Sequence, residues 1–380
     1  MNNFLNRQAF FADGTPFYRL YTADGAEAAG CSVRLRFRTA KDNAASVMVV
    51  TDCVRAKMHK SFSERNFDYY ETVLHYPECG TNYYFEIAGI GTNEERITAV
   101  YNKRSTMDRA QDYYNFKFYP DFKTPDWAKG AVFYQIFTDR FCNGNPSNDV
   151  LDHEYSYVKL HSEQEKDWGA YPHNMDVCHF YGGDLQGIMD KLDYLQDLGV
   201  DVIYLNPIFV SPSNHKYDIQ DYDYVDPHFG RIVDDEGDCL PPGCLENKQS
   251  SRYINRVTNK KNLEASNQLF AELVEEIHKR GMKVILDGVF NHCGSFNKWM
   301  DRECIYENQE GYEKGAFVSK DSPYNTFFKF YNENAWPYNT TYDGWWGHDT
   351  LPKLNYEESV KLENYILNTG RKWVSPPYNV

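Results

Sequence analysis

A chain of 380 residues, 42% of them apolar, is long enough for two or three domains with substantial cores. Its 40 Lys+Arg against 55 Asp+Glu leave a net charge of −15, which argues against nucleic acid as a partner. No apolar run reaches the roughly 18 residues that a membrane span needs, and the opening MNNFLNRQAF has no apolar segment of the kind that directs secretion.

The charge is unevenly placed. Residues 1–122 hold 15 basic and 15 acidic side chains, so the whole excess of acid lies in 123–380. That shift, with Pro120, Phe122, Lys123 and Pro125, marks an expected domain boundary. Before it, Val33, Leu35 and Phe37 alternate with Arg34, Arg36 and Arg38, the period of a half-buried strand. Val47–Val50, Tyr69–Leu74 and Tyr83–Ile87 read as further strands between Asp-Asn, Glu-Cys-Gly and Gly-Thr-Asn turns. Short strands at this spacing predict a β-sandwich over 1–122. Aromatic residues make up 16% of the chain, with 31 Tyr and 7 Trp. Such flat amphipathic rings suit surfaces that bind sugars or proteins, and also fill large cores.

The character changes at Gly130. Ala131–Phe137 is an apolar run expected to be a buried strand, followed by a loop of Asn143, Asn145, Asn148 and Asp149 around Gly144 and Pro146. Oxygen-bearing side chains at such spacing suit a hard cation such as calcium. They equally form an Asx-rich turn with no ion. Asp184 is placed to cap a helix in which Leu185, Ile188, Leu192 and Leu195 recur at helical spacing until Gly199. Val200–Leu205 is the next strand, so strand, helix and strand follow one another as in a parallel βαβ unit.

The following loop holds His215, Tyr217 and Asp218, and 232–262 reads as a long polar loop. Leu269, Phe270, Leu273, Val274 and Ile277 mark a second helix, closed by Gly281. The third strand, around Val284–Leu286, runs into Asp287, Asn291 and His292. Polar groups at a strand's carboxyl end are where parallel α/β folds build sites. Residues 295–356 are aromatic and irregular and read as an inserted domain. A helix is expected near Glu357–Lys372, then the segment towards a fourth strand, completing 357–380. Nine cysteines without framework spacing indicate reduced thiols and a cytoplasmic setting. Cys239 and Cys244 bracket a turn at which they would pair only if oxidised.

VFYQIFTDRFCNGNPSND, YGGDLQGIMDKLDYLQDLGVDVIYLNPIF, HKYDIQDY and DGVFNH, in this order, resemble the α-amylase family of glycoside hydrolases. The nearer likeness is to its neopullulanase, cyclomaltodextrinase and maltogenic amylase branch, which WWGHDTLPKLNYE also resembles. The resemblance implies a TIM barrel, here its first three βα units over 123–294, with the inserted domain after strand three and a starch-binding-like sandwich in front. It implies retaining cleavage of α-1,4 glucosidic bonds, with α-1,6 as a further bond type in the branch, by two carboxyl groups. By position, His292, Asn291, Asp287, Tyr217 and His215 match contacts to the sugar. Asn143, Asn145, Asn148, Asp149, Gly182 (through its carbonyl) and Asp184 match a structural calcium site. The family's nucleophile lies in a motif like GWRLD, after a phrase like SPPYNVD. The chain stops at Val380 inside that phrase, so none of the three catalytic carboxylates is assigned here. The expected partner is an α-glucan oligosaccharide, with a homodimer through the N-terminal domain as a feature of the branch. A non-catalytic glucan-binding or assembly module is the alternative.

Overall fold

The computed structural model describes residues 5–21, 32–75, 80–90, 96–107, 111–118, 124–172 and 176–380. The turns at Glu78-Cys79 and Gly91-Thr92-Asn93, Cys31, and Pro120, Phe122 and Lys123 of the expected linker lie outside them. Contacts divide the chain into two compact units, Met1–Lys129 and Gly130–Val380.

The first unit is antiparallel β. Ser32–Ala40 pairs with Phe67–His75 along its whole length, and Ser46–Thr51 pairs with Asn82–Ile90. The strand Arg55–Glu64 joins the two groups: its first residues pair with Val47–Val50 and its last with Phe67–Glu71, through a bulge between Lys60 and Phe62. Val33, Leu35 and Phe37 point inward and share one core with Val47, Val49, Tyr83, Phe85 and Ile87. Of the alternating arginines, Arg36 is itself buried. Its guanidinium reaches Glu71 (Nε–Oε1 2.6 Å) and lies 4.1 Å above the Phe17 ring. A buried charge is tolerated when so paired.

In the second unit, Phe133–Ile136, Val202–Leu205 and Lys283–Leu286 form a parallel sheet, with Val202–Leu205 in the middle. Ile136, Leu205 and Leu286 are in register, so all three strands end at one edge. The first strand is shorter than the apolar run and is not continuously buried: Phe133 and Gln135 are exposed, Ile136 is buried. One side of the strand faces the shared core, whereas the other is left at the surface.

The expected first helix is two, α1 (Leu185–Asp190) and α2 (Leu192–Asp197). At Lys191 the N–H bonds back to Ile188 O (3.1 Å), an i→i−3 closure that tightens the turn and separates them. Leu185, Ile188, Leu192 and Leu195 are nevertheless all fully buried. The polar stretch 232–262 is not a plain loop. It contains α3 (Ser251–Thr258), capped by Ser250, and the start of α4 (Lys260–Lys279), capped by Asn259. Helix α3 buries Tyr253 and Arg256, and the few apolar residues there had hidden its face. Helix α5 spans Val360–Trp373 behind the cap Ser359.

Segment 295–356 has only short 3₁₀ turns. Its Trp299, Met300, Phe317, Phe327 and Leu354 belong to the same core as Ile203, Leu205 and Phe270. Trp299 stacks on Tyr222 (5.2 Å) and meets Phe327 and Tyr365 edge-on. The seven described cysteines, Cys239 and Cys244 included, are free thiols. Among the described residues no helix is long and apolar enough to cross a membrane.

Candidate functional site

The edge where the three strands end carries the polar groups. The N–H of Asp287 donates to Leu205 O (3.0 Å) and that of Asn206 to Ile136 O (3.0 Å), which fixes both residues just past the sheet. The loop after the second strand is then folded against them by buried polar stitching. Ser211 Oγ donates to Asp218 Oδ1 (2.6 Å), Ser213 Oγ bonds the same oxygen, and Lys216 N donates to Ser213 Oγ (3.0 Å).

Lys216 is left-handed (φ +61°), a conformation uncommon for a side chain of this size. Its ammonium is buried on Ser211 O (2.8 Å) and Asp226 Oδ2 (2.7 Å). Its neighbours His215 and Tyr217 come together instead, with ring centroids 6.0 Å apart. Asp226 in turn bonds His228 Nδ1 (2.8 Å), whose Nε2 bonds Glu154 (2.8 Å), which bonds Arg256 (2.7 Å). Burial opposes every charge in this chain. For Asp226 the nearby Lys216 and His228 outweigh it and hold the carboxyl well below the usual range; for His228 the two carboxylates win and raise the imidazole.

Tyr217 donates its hydroxyl to Asp287 Oδ2 (2.8 Å). Burial, and then that carboxylate, push its phenol up, and Tyr204 beside Asp287 is raised for the same reasons. His292 is buried; its Nε2–H donates to Tyr217 O (3.1 Å) and its Nδ1 accepts from the Asn291 amide (2.8 Å). Burial lowers its pKa. It is therefore a neutral imidazole in a fixed tautomer, bound on both nitrogens. Tyr217, Asp287, Asn291 and His292 are thus brought together, with His215 alongside. Sequence reasoning missed three contributors: Tyr204, Lys216, and Trp345, whose ring lies 6.0 Å from His292 and 23° from parallel. The Trp-Trp-Gly string had marked Trp345 without giving it a role.

The second cluster lies after the first strand. Asn143 donates its amide to Asp149 Oδ1 (2.8 Å), and Asn148 donates to Asp184 Oδ2 (3.2 Å) and Gly230 O (2.8 Å). Gly182 (φ +78°) approaches so closely that a Cβ there would lie 2.5 Å from both Asn143 and Asp149. Asp184 accepts from the N–H groups of Gly144, Asn145 and Gly187, capping α1, and Asn145 turns its side chain to Ser147. The carbonyl oxygens Oδ1 of Asn143 and Asn148 are buried without a hydrogen-bond partner. Burial, then the like charges of Asp184 and Asp139, push Asp149 up to about 6. Orphan acceptors around a destabilised carboxylate fit a hard cation. Among the described residues no three His, Cys, Asp or Glu side chains converge as metal ligands, so amide and carbonyl oxygens would supply most of such a site.

Residues 24–120 match the family described as alpha amylase, N-terminal ig-like domain. The amylopullulanase of Thermoanaerobacterium saccharolyticum is 32% identical over 348 residues, covering 83% of this chain and 24% of that protein. Neopullulanase 2 of Thermoactinomyces vulgaris is 32% identical over 329 residues, covering 83% and 44%. The solved type III pullulan hydrolase of Thermococcus kodakarensis aligns with a TM-score of 0.54 at 26% identity, over 96% of this chain and 54% of its own. A cyclomaltodextrinase structure aligns at 0.55 and 25%, over 97% and 54%. The chain thus spans less than half the length of these two curated relatives. Residues 135–237 and 265–379, more than half of the chain, match the alpha amylase catalytic domain, and the protein belongs to the α-amylase family.

Proposed function

We propose that this chain binds α-glucan oligosaccharides, of the cyclodextrin, pullulan or maltooligosaccharide type, at the strand edge where Tyr217, Asp287 and His292 meet. That convergence carries the reading: the partly open Tyr217 ring offers a face for a sugar's apolar side, and the half-buried Asp287 carboxylate and exposed Asn291 amide offer groups for its hydroxyls. The three strands correspond to the first three βα units of a TIM barrel. The nucleophile, the acid/base and the second Asp of retaining cleavage belong to barrel segments beyond this sequence, which the longer relatives have room for. Asp287 is no substitute, because by position it matches a contact to the sugar and not the nucleophile.

The Asn143–Asp149 loop with Gly182 and Asp184 would hold a calcium ion. When bound, the ion neutralises Asp149 and ties the loop after the first strand to the start of α1. Its role is structural, and none of the sugar contacts runs through it.

The test pairs titration calorimetry with maltohexaose and β-cyclodextrin against a reducing-sugar assay on the 380-residue chain. Saturable binding, lost in Tyr217→Ala, without turnover is expected. Turnover that survives repurification would overturn the assignment of catalysis to other segments, and absence of any binding would overturn the glucan site. The latter result would favour an assembly module.

A further inference from the structure

The segment between the first strand and α1 carries a pair of histidines that none of the contacts above uses. His161 belongs to a small hairpin in which Ser156 pairs with His161 and Tyr157 with Leu160. Its turn residues Val158 and Lys159 are both left-handed (φ 46° and 65°), the twist that a two-residue hairpin turn needs. His153 is left-handed too (φ 58°), a conformation in which histidine is enriched among side chains. Its backbone is fixed on both sides: its N–H donates to Ser162 O (2.8 Å), and its carbonyl accepts from the Leu240 N–H (2.9 Å). Ser162 is buried; its hydroxyl donates to Leu151 O (2.9 Å) and accepts from the Glu154 N–H (2.9 Å). Loop and hairpin are thus stitched together beside both histidines, and their rings are held in place before any ligand arrives.

The two imidazoles meet with ring centroids 4.6 Å apart and planes at 60°. His161 Nδ1 is buried and has no hydrogen-bond partner, whereas His153 is exposed. A buried ring nitrogen left unpaired is costly unless something binds it. Two imidazoles held about 2.0–2.1 Å from one ion, at about 90° to each other, have their ring centres about 4.5 Å apart, and a tetrahedral angle gives about 5.2 Å. The spacing here matches the right-angled arrangement of Cu(II) and Ni(II) better than the tetrahedral one of zinc. Calcium, which takes oxygen ligands, does not suit the pair. Among the described residues no third His, Cys, Asp or Glu side chain joins them, and the neighbouring Asp152 spends its Oδ1 on the Gln164 N–H (2.7 Å). Water would fill the remaining positions.

We propose that His153 and His161 form a two-imidazole site for a divalent transition metal of the Cu(II) or Ni(II) kind, which clamps the loop at His153 to the hairpin. The site is independent of the glucan reading and of the Asn143–Asp149 loop. The test titrates NiCl2 into the 380-residue protein by calorimetry, with calcium in excess and the accessible thiols alkylated by iodoacetamide beforehand. A single strong site is expected. His161→Ala and His153→Asn should each weaken it about a hundredfold, because two linked ligands become one. His153→Asn, suited to the left-handed backbone, should keep the metal-free melting temperature but lose the rise that nickel gives the wild type. CuCl2 on the same alkylated protein should give an electron paramagnetic resonance signal with two imidazole nitrogens, and with one in His153→Asn. Equal nickel affinity in wild type and the folded His153→Asn variant would overturn the proposal, as would the absence of a strong site in the alkylated wild type.

Discussion

Lys216→Met removes a cation buried within the loop that carries His215 and Tyr217. Its ammonium lies 2.7 Å from Asp226, and both side chains are 1% exposed. At an effective dielectric of about 20 the gross attraction is roughly 6 kcal/mol. Desolvation of the pair offsets much of this, and breaking a buried pair from one side costs about 3–5 kcal/mol. His228 still faces Asp226, so the lower end, about 3 kcal/mol, is expected. Urea unfolding followed by tryptophan fluorescence reads it, since every tryptophan but Trp127 lies in the second unit. The same variant should weaken maltohexaose, because Lys216 sets the left-handed turn between His215 and Tyr217. A stability loss under about 1 kcal/mol, with sugar binding intact, would refute the reasoning: the pair would then be neither strongly coupled nor responsible for the loop.

His228 titrates above its ordinary value, so its charge stabilises fully below about pH 6.5 and the contribution fades as pH rises through the raised pKa. Asp226 and Glu154 are depressed, so their contribution is present above about pH 4.5 and is lost as pH falls through their folded values. The stability gap between wild type and His228→Gln, from urea midpoints, should therefore be largest near pH 5.5 and narrow towards pH 9.5; a gap that widens with pH would contradict the network. Calcium added to chelator-treated protein should raise the melting temperature, with about 2.7 kcal/mol gained at a hundredfold excess over Kd. Asn143→Ala should abolish that rise in a differential scanning experiment. Trp299→Ala should cost about 3–5 kcal/mol. Trp299→Phe should cost clearly less in the same urea series, because the buried indole N–H has no partner to lose.

The strands that the sequence revealed carry either an alternating apolar face or a continuous apolar run, as Val202–Leu205 does in the middle of its sheet. Val33, Leu35 and Phe37 alternate because the core lies on one side of them. Arg55–Glu64 escaped notice because only Ala56, Met58 and Phe62 turn towards the core, and Lys60 with the bulge before Phe62 breaks their alternation. Helix α3 escaped for a related reason: it buries Arg256 and Tyr253, and a buried arginine looks like a surface residue until its partners Glu154 and Asp235 are known. In the site, Tyr217, Asp287, Asn291 and His292 were legible by position in short motifs. Tyr204 and Lys216 were not, since their roles depend on contacts between residues far apart in the chain, such as Lys216 with Asp226.

The loop at 211–218 shows why the site takes this form. Ser211, Ser213, Lys216 and Asp218 are buried and bond one another, Asp226 or His215 with most of their polar groups, while His215 and Tyr217 stay partly open. An apolar loop of this length would leave its backbone carbonyls unsatisfied, whereas Lys216 answers that of Ser211 and the Ser211 hydroxyl answers that of Asp218. Buried charges cost stability when replaced one at a time, yet here they fix a left-handed turn that no hydrophobic residue would specify. That turn puts Tyr217 within reach of Asp287, which the sheet has already fixed through Leu205. The geometry at Tyr217 and Asp287 is thus set by buried groups of the same loop, and the partly open residues can meet a ligand without first being ordered by it.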